Sequence, residues 1–280
     1  MIDYRTNATK QTQNRNLILK LKKLSDMQNV QKNTVKELKS EAKKYNVTKL
    51  LSNGLSNAKT AKNAVKSFIL YLSPSTQNDK GLNLCPHASE GCIVACLNTA
   101  GLAGVYPKII QARINKTNFY VNKKAEFLNL LAHEIRNEIR KANGTKLVFR
   151  LNGTSDLDFV FLLKKYTGLD LLILENVYFY DYTKVLARAK RYLNADNYTV
   201  TFSRSESNQK EFLEAVKLGI NTAVVFSNSL PATYEGATVI NGDKSDIEMI
   251  YNKGVILGLK AKGKAKKDLS GFVVPTNKNI

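Results

Sequence analysis

Residues 146–156 read KLVFRLNGTSD, 177–184 read VYFYDYTK, 198–206 read YTVTFSRSE and 222–229 read TAVVFSNS. Each opens as a short run of β-branched and aromatic residues and closes in a turn of hydroxyl, amide or acidic side chains. Between the runs, residues 156–166, 183–193 and 208–218 carry helical spacing. Apolar runs too continuous for a half-solvated strand, separated by helices, indicate parallel strands with crossover connections.

Working outward, Ser67–Leu72 (SFILYL) reads as an earlier strand, and Ala237–Ile240 and Val255–Leu259 as later ones. Leu171–Leu174 is a minor strand or a helix end. Residues 107–142 form one long helical region, stopped by Ala-Asn-Gly at 142–144. About six or seven parallel strands predict an α/β fold, as a partial or TIM-like (β/α) barrel. A doubly wound sheet is the alternative.

Nearly every strand is followed by a polar turn: 73–75, 152–156, 181–184, 203–206, 227–229 and 241–244. Any one of these is explained by helix capping. Six in series point to a shared site at the strands' C-terminal ends, where barrels of this kind do their chemistry. Asn152, Thr154, Asp156, Asp181, Lys184 and Arg204 are the candidate pocket residues. Arg150, inside a strand with apolar neighbours, is expected to face the interior and to need Asp156, Asp181 or Glu206 as its partner.

All three cysteines fall in one loop, Cys85-Pro-His-Ala-Ser-Glu-Gly-Cys92-Ile-Val-Ala-Cys96. Structural cysteines scatter through a core, whereas thiols this close suit one metal centre. Three thiolates without an obligatory fourth ligand fit a [4Fe–4S] cluster with one open iron. Zinc on Cys85, His87, Cys92 and Cys96 is the alternative. A cysteine nucleophile would need a base, and only His87 and His133 are present. An open iron on the first βα loop resembles radical S-adenosylmethionine enzymes, although the C-x6-C-x3-C spacing departs from their C-x3-C-x2-C and Asn152-Gly153-Thr154 stands where their Gly-Gly-Glu would. S-adenosylmethionine is accordingly a possible cofactor of that resemblance.

The chain has 280 residues, 43 Lys+Arg and 23 Asp+Glu, a net charge of +20 that makes a polyanion such as nucleic acid the default partner. Fourteen of the basic residues lie within 1–62 against four acids. Residues 1–65 therefore read as a basic helical extension and 66–280 as the barrel-like domain. Lys260–Lys267 (KAKGKAKK) follows the last strand and is expected at the same mouth, or as a solvated tail. No apolar stretch is long enough to span a bilayer and the start has no apolar leader, which predicts a cytoplasmic protein without membrane contact. An oligomeric state does not follow from the sequence.

LSPS (72–75), CPHASEGCIVACLNTAG (85–101), QARINKTNFY (111–120), FRLNGTSDLDF (149–159) and FYDYTK (179–184) closely resemble the bacteriophage gene product 88 family, over about residues 68–230. Relatives often carry Trp shortly after the Thr-Ser-Asp, where this chain has Phe159. The resemblance implies a phage origin and a shared three-cysteine site, and some relatives are labelled replication-associated. A rolling-circle nickase would need paired histidines, which this chain lacks. Within the matched segments Arg113, Lys116 and Thr117 share one helix face and are expected to bind an anion beside the cluster, and Arg150 joins Arg113 and Lys116 as a candidate cofactor-binding residue. The resulting expectation is an iron–sulfur enzyme, radical or redox in type, acting on a phosphate-bearing or nucleic-acid substrate. The alternative is a zinc- or cluster-stabilised, replication-associated nucleic-acid-binding protein without catalysis.

Overall fold

A computed structural model describes residues 35–54, 65–99, 101–245 and 248–276. Strands β2 (Lys66–Leu70), β3 (Leu147–Arg150), β4 (Val177–Thr183), β5 (Tyr198–Ser203) and β6 (Thr222–Phe226) lie side by side in chain order, all parallel. β9 (Ile256–Lys260) and β8 (Ala237–Asn241) continue the parallel series beyond β6. The edges are antiparallel: β1 (Leu51–Asn53) on β2, and β7 (Thr233–Tyr234) on β8.

Helix α1 spans residues 35–44. The remaining helices are α2 (Glu90–Val94), α3 (Gly101–Val105), α4 (Pro107–Asn122), α5 (Lys124–Ala142), α6 (Phe159–Thr167), α7 (Leu186–Arg191), α8 (Gln209–Lys217) and α9 (Glu248–Tyr251). Period-two alternation sends one set of strand residues to each face of the sheet. Phe68, Phe149 and Phe179 stand opposite one another in register and stack at 5.3 and 5.4 Å between centroids. This ladder joins Phe127, Leu131 and Ile135 of α5 in the main core. On the other face Val148, Tyr180, Ala223 and Leu257 pack with Met249 of α9 in a smaller core.

The α/β reading and its parallel strands hold, but the sheet is open rather than closed into a barrel. β1 occupies the free edge of β2 and β7 that of β8, so the two ends of the parallel series do not pair with each other. The long helix is two helices, broken at Lys123 (φ −135°, ψ 59°). The break turns Phe127 edge-on to Phe119 and Tyr120, at 5.5 and 5.3 Å.

Residues 1–34 and 55–64 of the expected extension lie outside the described residues. Residues 35–54 are joined to the domain: Ala42, Val47, Leu50 and Leu51 are buried in the main core and Tyr45 stacks on Phe119 at 5.4 Å. Glu134 fastens this segment by accepting the Leu50 and Leu51 amides at 2.8 Å each, and Lys116 Nζ donates to the Leu50 carbonyl at 2.7 Å.

Burial pulls the Lys116 ammonium down to about 8, against the opposing pull of Glu134. In the unfolded chain it stays protonated to about 10.4. Between those values the unfolded chain binds more protons than the folded one, so this group makes stability rise with pH there. Lys116→Met is expected to flatten that rise, measured as the urea midpoint of both proteins from pH 7.5 to 10.

Candidate functional site

The parallel strands leave their C-terminal ends on one side, and there the sheet divides. β5 and β6 pair only at Phe202↔Thr222 and Ser203↔Ala223. Beyond that point β10 (Val273–Val274) lies along β6 instead, pairing with Val225 and Phe226. A cleft of about 350 Å³ opens at this end, and Ser203, Val225 and Phe272 around the division are among its walls. Parallel α/β sheets bind ligands at such crevices beyond the carboxyl ends of their strands.

Four of the six polar turns reach the cleft, through residues 152–156, 183–184, Ser203 and Asp243. The other two have local work. The Ser73 amide donates to Thr117 Oγ1 at 2.7 Å, and Ser227 is tied to Val274 and Thr276.

The 152–156 turn is held from beneath. Asp181 is 2% exposed and accepts the Asn152 amide at 2.7 Å, Asn152 Nδ2 at 3.1 Å and the Tyr198 hydroxyl at 3.1 Å. Burial raises its carboxyl above the ordinary aspartate range, against Arg188 and the Asn152 amide. Asn152 Oδ1 in turn accepts from Ser155 Oγ and the Leu157 amide. Asp156 ties the turn to β4 by accepting the Lys184 amide at 2.9 Å. Its Oδ1 lies 2.6 Å from Arg188 NH2, a buried ion pair rather than an aligned hydrogen bond. Burial works against the Arg188 charge, but Asp156, Tyr198 and Asp181 hold its guanidinium above the ordinary value.

The cysteine loop closes another side. Cys85, Cys92 and Cys96 all line the cleft, partly buried and none of them in a disulfide. Burial pushes the Cys85 thiol up to about 11 and also raises Cys96. The Asp156 amide donates to Leu84 O at 2.9 Å, and Cys85 Sγ lies 3.7 Å from Thr154 O, so the loop sits against the 152–156 turn. Ser89 caps α2 by accepting the Cys92 amide. Glu206 grips the same end, accepting Ser89 Oγ and the Gly91 amide at 2.8 Å each. Gly91 is packed so closely that a Cβ there would meet Ser270 Oγ at 2.1 Å and Phe272 Cβ at 2.8 Å.

Glu206→Ala removes both acceptors at once. It is expected to increase protease cleavage within 85–96 at least about tenfold, because each charge-assisted bond contributes about 1.5–3 kcal/mol to holding the loop closed. Limited proteolysis with mass mapping checks this, and the core of α5 should stay protected.

Among the described residues no three His, Cys, Asp or Glu side chains stand together as a set for one metal ion. His87 is exposed and lies outside the cleft lining. His133 is half-buried on α5, and burial together with Lys39 lowers its imidazole below the usual range.

A family profile described as Gene product 88 matches residues 46–275. The chain belongs to the gene product 88 family. The matched region starts beside β1, ends just after β10 and contains every residue of the cleft. Comparison with curated proteins and with solved structures finds no match. No described helix is long and apolar enough to cross a membrane.

Within this gene product 88 domain the structure gathers Asn152, Thr154, Asp156, Lys184, Arg150 and the three cysteines around one cleft. It does not bring the remaining candidates there. Asp181 lies below the floor as a support. Arg204 turns away, its Nε donating to Gln209 and its NH1 to the Gly271 and Phe272 carbonyls. Lys116 is spent on Leu50. Arg113 lies over the Tyr71 ring at 4.5 Å and donates to Asn98 Oδ1 at 2.5 Å, outside the lining but close enough to act on the Cys96 thiol. Arg150 pairs with carbonyls, Nε to Asn152 O at 3.2 Å and NH2 to Gly153 O at 3.4 Å, and lies 4.8 Å over the Tyr182 ring.

Sequence reasoning missed Glu206 as the anchor of the cysteine loop, although its place three residues past β5 was available. It also missed Arg188 and Phe272. The basic stretch after β9 is at the mouth: Lys260, Lys262 and Ala265 line the cleft.

Proposed function

We propose that the cleft is the active site of an iron–sulfur protein, with Cys85, Cys92 and Cys96 as the cluster ligands and an anionic substrate held by Arg150 and Lys184. The observation that carries this reading is the arrival of all three cysteine side chains at one cleft beyond the strand ends. The donor set suits a cluster better than zinc. Three thiols and no histidine among the described lining residues match a cubane with one open iron, whereas a Cys3His zinc site needs a fourth ligand that the exposed His87, outside the lining, does not bring there.

A bound cluster of this kind supplies one-electron chemistry. The chain's own residues do the rest. Glu206 and Ser89 hold the loop that carries the thiols, Asp156 and Arg188 fix the neighbouring turn, and the apolar lining limits water. Burial raises the Cys85 and Cys96 thiols, so binding through their thiolates would displace protons and loading would favour higher pH.

The test is the visible spectrum of full-length protein purified without oxygen. A brown protein with broad absorption that Cys92→Ser abolishes is expected. A colourless protein carrying stoichiometric zinc overturns the reading.

A further inference from the structure

We infer that the ligand of this cleft is a single nucleotide unit, either free or at the end of a single strand, with its base on the apolar wall and its phosphate on Lys184, Lys260 and Arg150. The inference rests on the proposal above only in taking the cleft as a ligand site, and it does not need the cluster.

Charge is the first observation. Among the described residues two acids line the cleft, and both are committed inside the protein. Asp156 holds Arg188 and the Lys184 amide. Asp243 holds Lys262 Nζ at 2.6 Å and the Lys260 amide at 2.9 Å. Among the described residues neither Lys184 nor Lys260 has an ion-pair partner, so the site presents cations whose counter-charge must come from a ligand.

Two of the cations, Lys184 and Arg150, are also held in place beforehand. Lys184 Nζ stands 5.6 Å from the Phe272 ring centroid. Arg150 is fixed over Tyr182 by its two carbonyl contacts. A group ordered before binding loses less side-chain entropy when the ligand arrives.

The second observation is the shape and character of the wall. Tyr182, Val225, Leu259, Ala265 and Phe272 make it largely apolar, and about 350 Å³ is the scale of a small organic ligand rather than of an inorganic ion. A bare phosphate would satisfy the lysines and leave that wall wet. A neutral aromatic would cover the wall and leave the lysines without a counter-charge. A nucleotide answers both demands, since its base can stack on an aromatic wall while its phosphate meets the lysines.

The third observation is what continues outward. Beyond Lys260 the chain turns through a short 3-10 helix, Gly263–Lys267, that leaves Lys262, Lys264, Lys266 and Lys267 exposed beside the mouth. Of these, Lys264, Lys266 and Lys267 are positioned for further phosphates of a strand whose terminal nucleotide occupies the cleft, while Lys262 stays with Asp243.

The experiment is calorimetric titration of the full-length chain at low salt with five probes: each of the four ribonucleoside monophosphates as a set, adenosine, inorganic phosphate, and five-residue single-stranded DNA and RNA. At least one monophosphate or oligonucleotide is expected to bind at least about tenfold more tightly than both adenosine and phosphate. Lys184→Gln/Lys260→Gln, with an unchanged near-ultraviolet circular dichroism spectrum, is expected to weaken that binding about tenfold or more. An oligonucleotide advantage of about tenfold that falls steeply with salt identifies a strand end as the source, and equal binding identifies the free nucleotide.

Phosphate binding as tightly as any nucleotide, absence of binding by every nucleotide probe, or no effect of the double substitution overturns the inference. The chain with all three cysteines changed to serine should retain nucleotide binding. Failure of the cluster reading is thereby separated from failure of this one.

Discussion

Replacing Phe149 by alanine is expected to lower the unfolding free energy by about 3–5 kcal/mol. The ring is fully buried and stands between Phe68 and Phe179, so its loss opens a cavity between two neighbours on adjacent strands that cannot both move to fill it. Aromatic pairs add about 0.5–1.5 kcal/mol each beyond burial, and this ring makes two. Phe149→Leu retains most of the volume and should cost roughly half as much. Urea unfolding of the three proteins checks the order, with the m-value unchanged if the effect is on the folded state. A loss below about 1 kcal/mol for alanine would show that the ladder is not a main support of the sheet.

The buried Asp156–Arg188 pair should give the next largest effect. Arg188→Met leaves Asp156 with a buried carboxylate and no counter-charge, which typically costs about 3–5 kcal/mol. Asp156→Asn/Arg188→Met removes both charges and should recover much of the loss, since the asparagine oxygen can still accept the Lys184 amide. The partner effects are not independent, so the double variant should lie well below the sum of the two single ones. Because Asp156 also shapes a wall of the cleft, the single variants should weaken any ligand binding beyond what their stability predicts. A double variant whose loss equals the sum of the two single losses would indicate that the pair contributes little.

The strand series was legible because each strand from β3 to β6 carries its own signal, a run of β-branched and aromatic residues ending in a polar turn. The open edges were not legible. β1, β7 and β10 have three, two and two residues, too few for an alternation to register, yet they decide that the sheet stays open and where it divides. The break at Lys123 was hidden because the helical spacing resumes at once on its far side.

Much of the site could be read from the polar turns, since turns after parallel strands share one side of the sheet whatever closes it. Which residue of each turn faces the cleft could not. Arg204 and Glu206 differ by two positions, but the arginine is drawn to the 271–272 carbonyls while the glutamate reaches the cysteine loop. Asp181 looked like a pocket residue because it ends an apolar strand. Its side chain is instead taken by Asn152 and Tyr198, which only the packing of β3 and β5 beside β4 brings within reach. The charge of +20 pointed to a polyanion, and its nearest structural expression is Lys184 and Lys260 at the mouth, which have no acidic partner among the described residues.

The central claim is that three cysteines on one wall of this cleft hold an iron–sulfur cluster. Iron and acid-labile sulfide measured on anaerobically reconstituted full-length protein test it most directly. The account predicts about four of each per chain, as for a [4Fe–4S] cluster, falling to background in the triple cysteine-to-serine variant. Iron without sulfide, zinc in its place, or an iron content that the triple substitution leaves unchanged would contradict it.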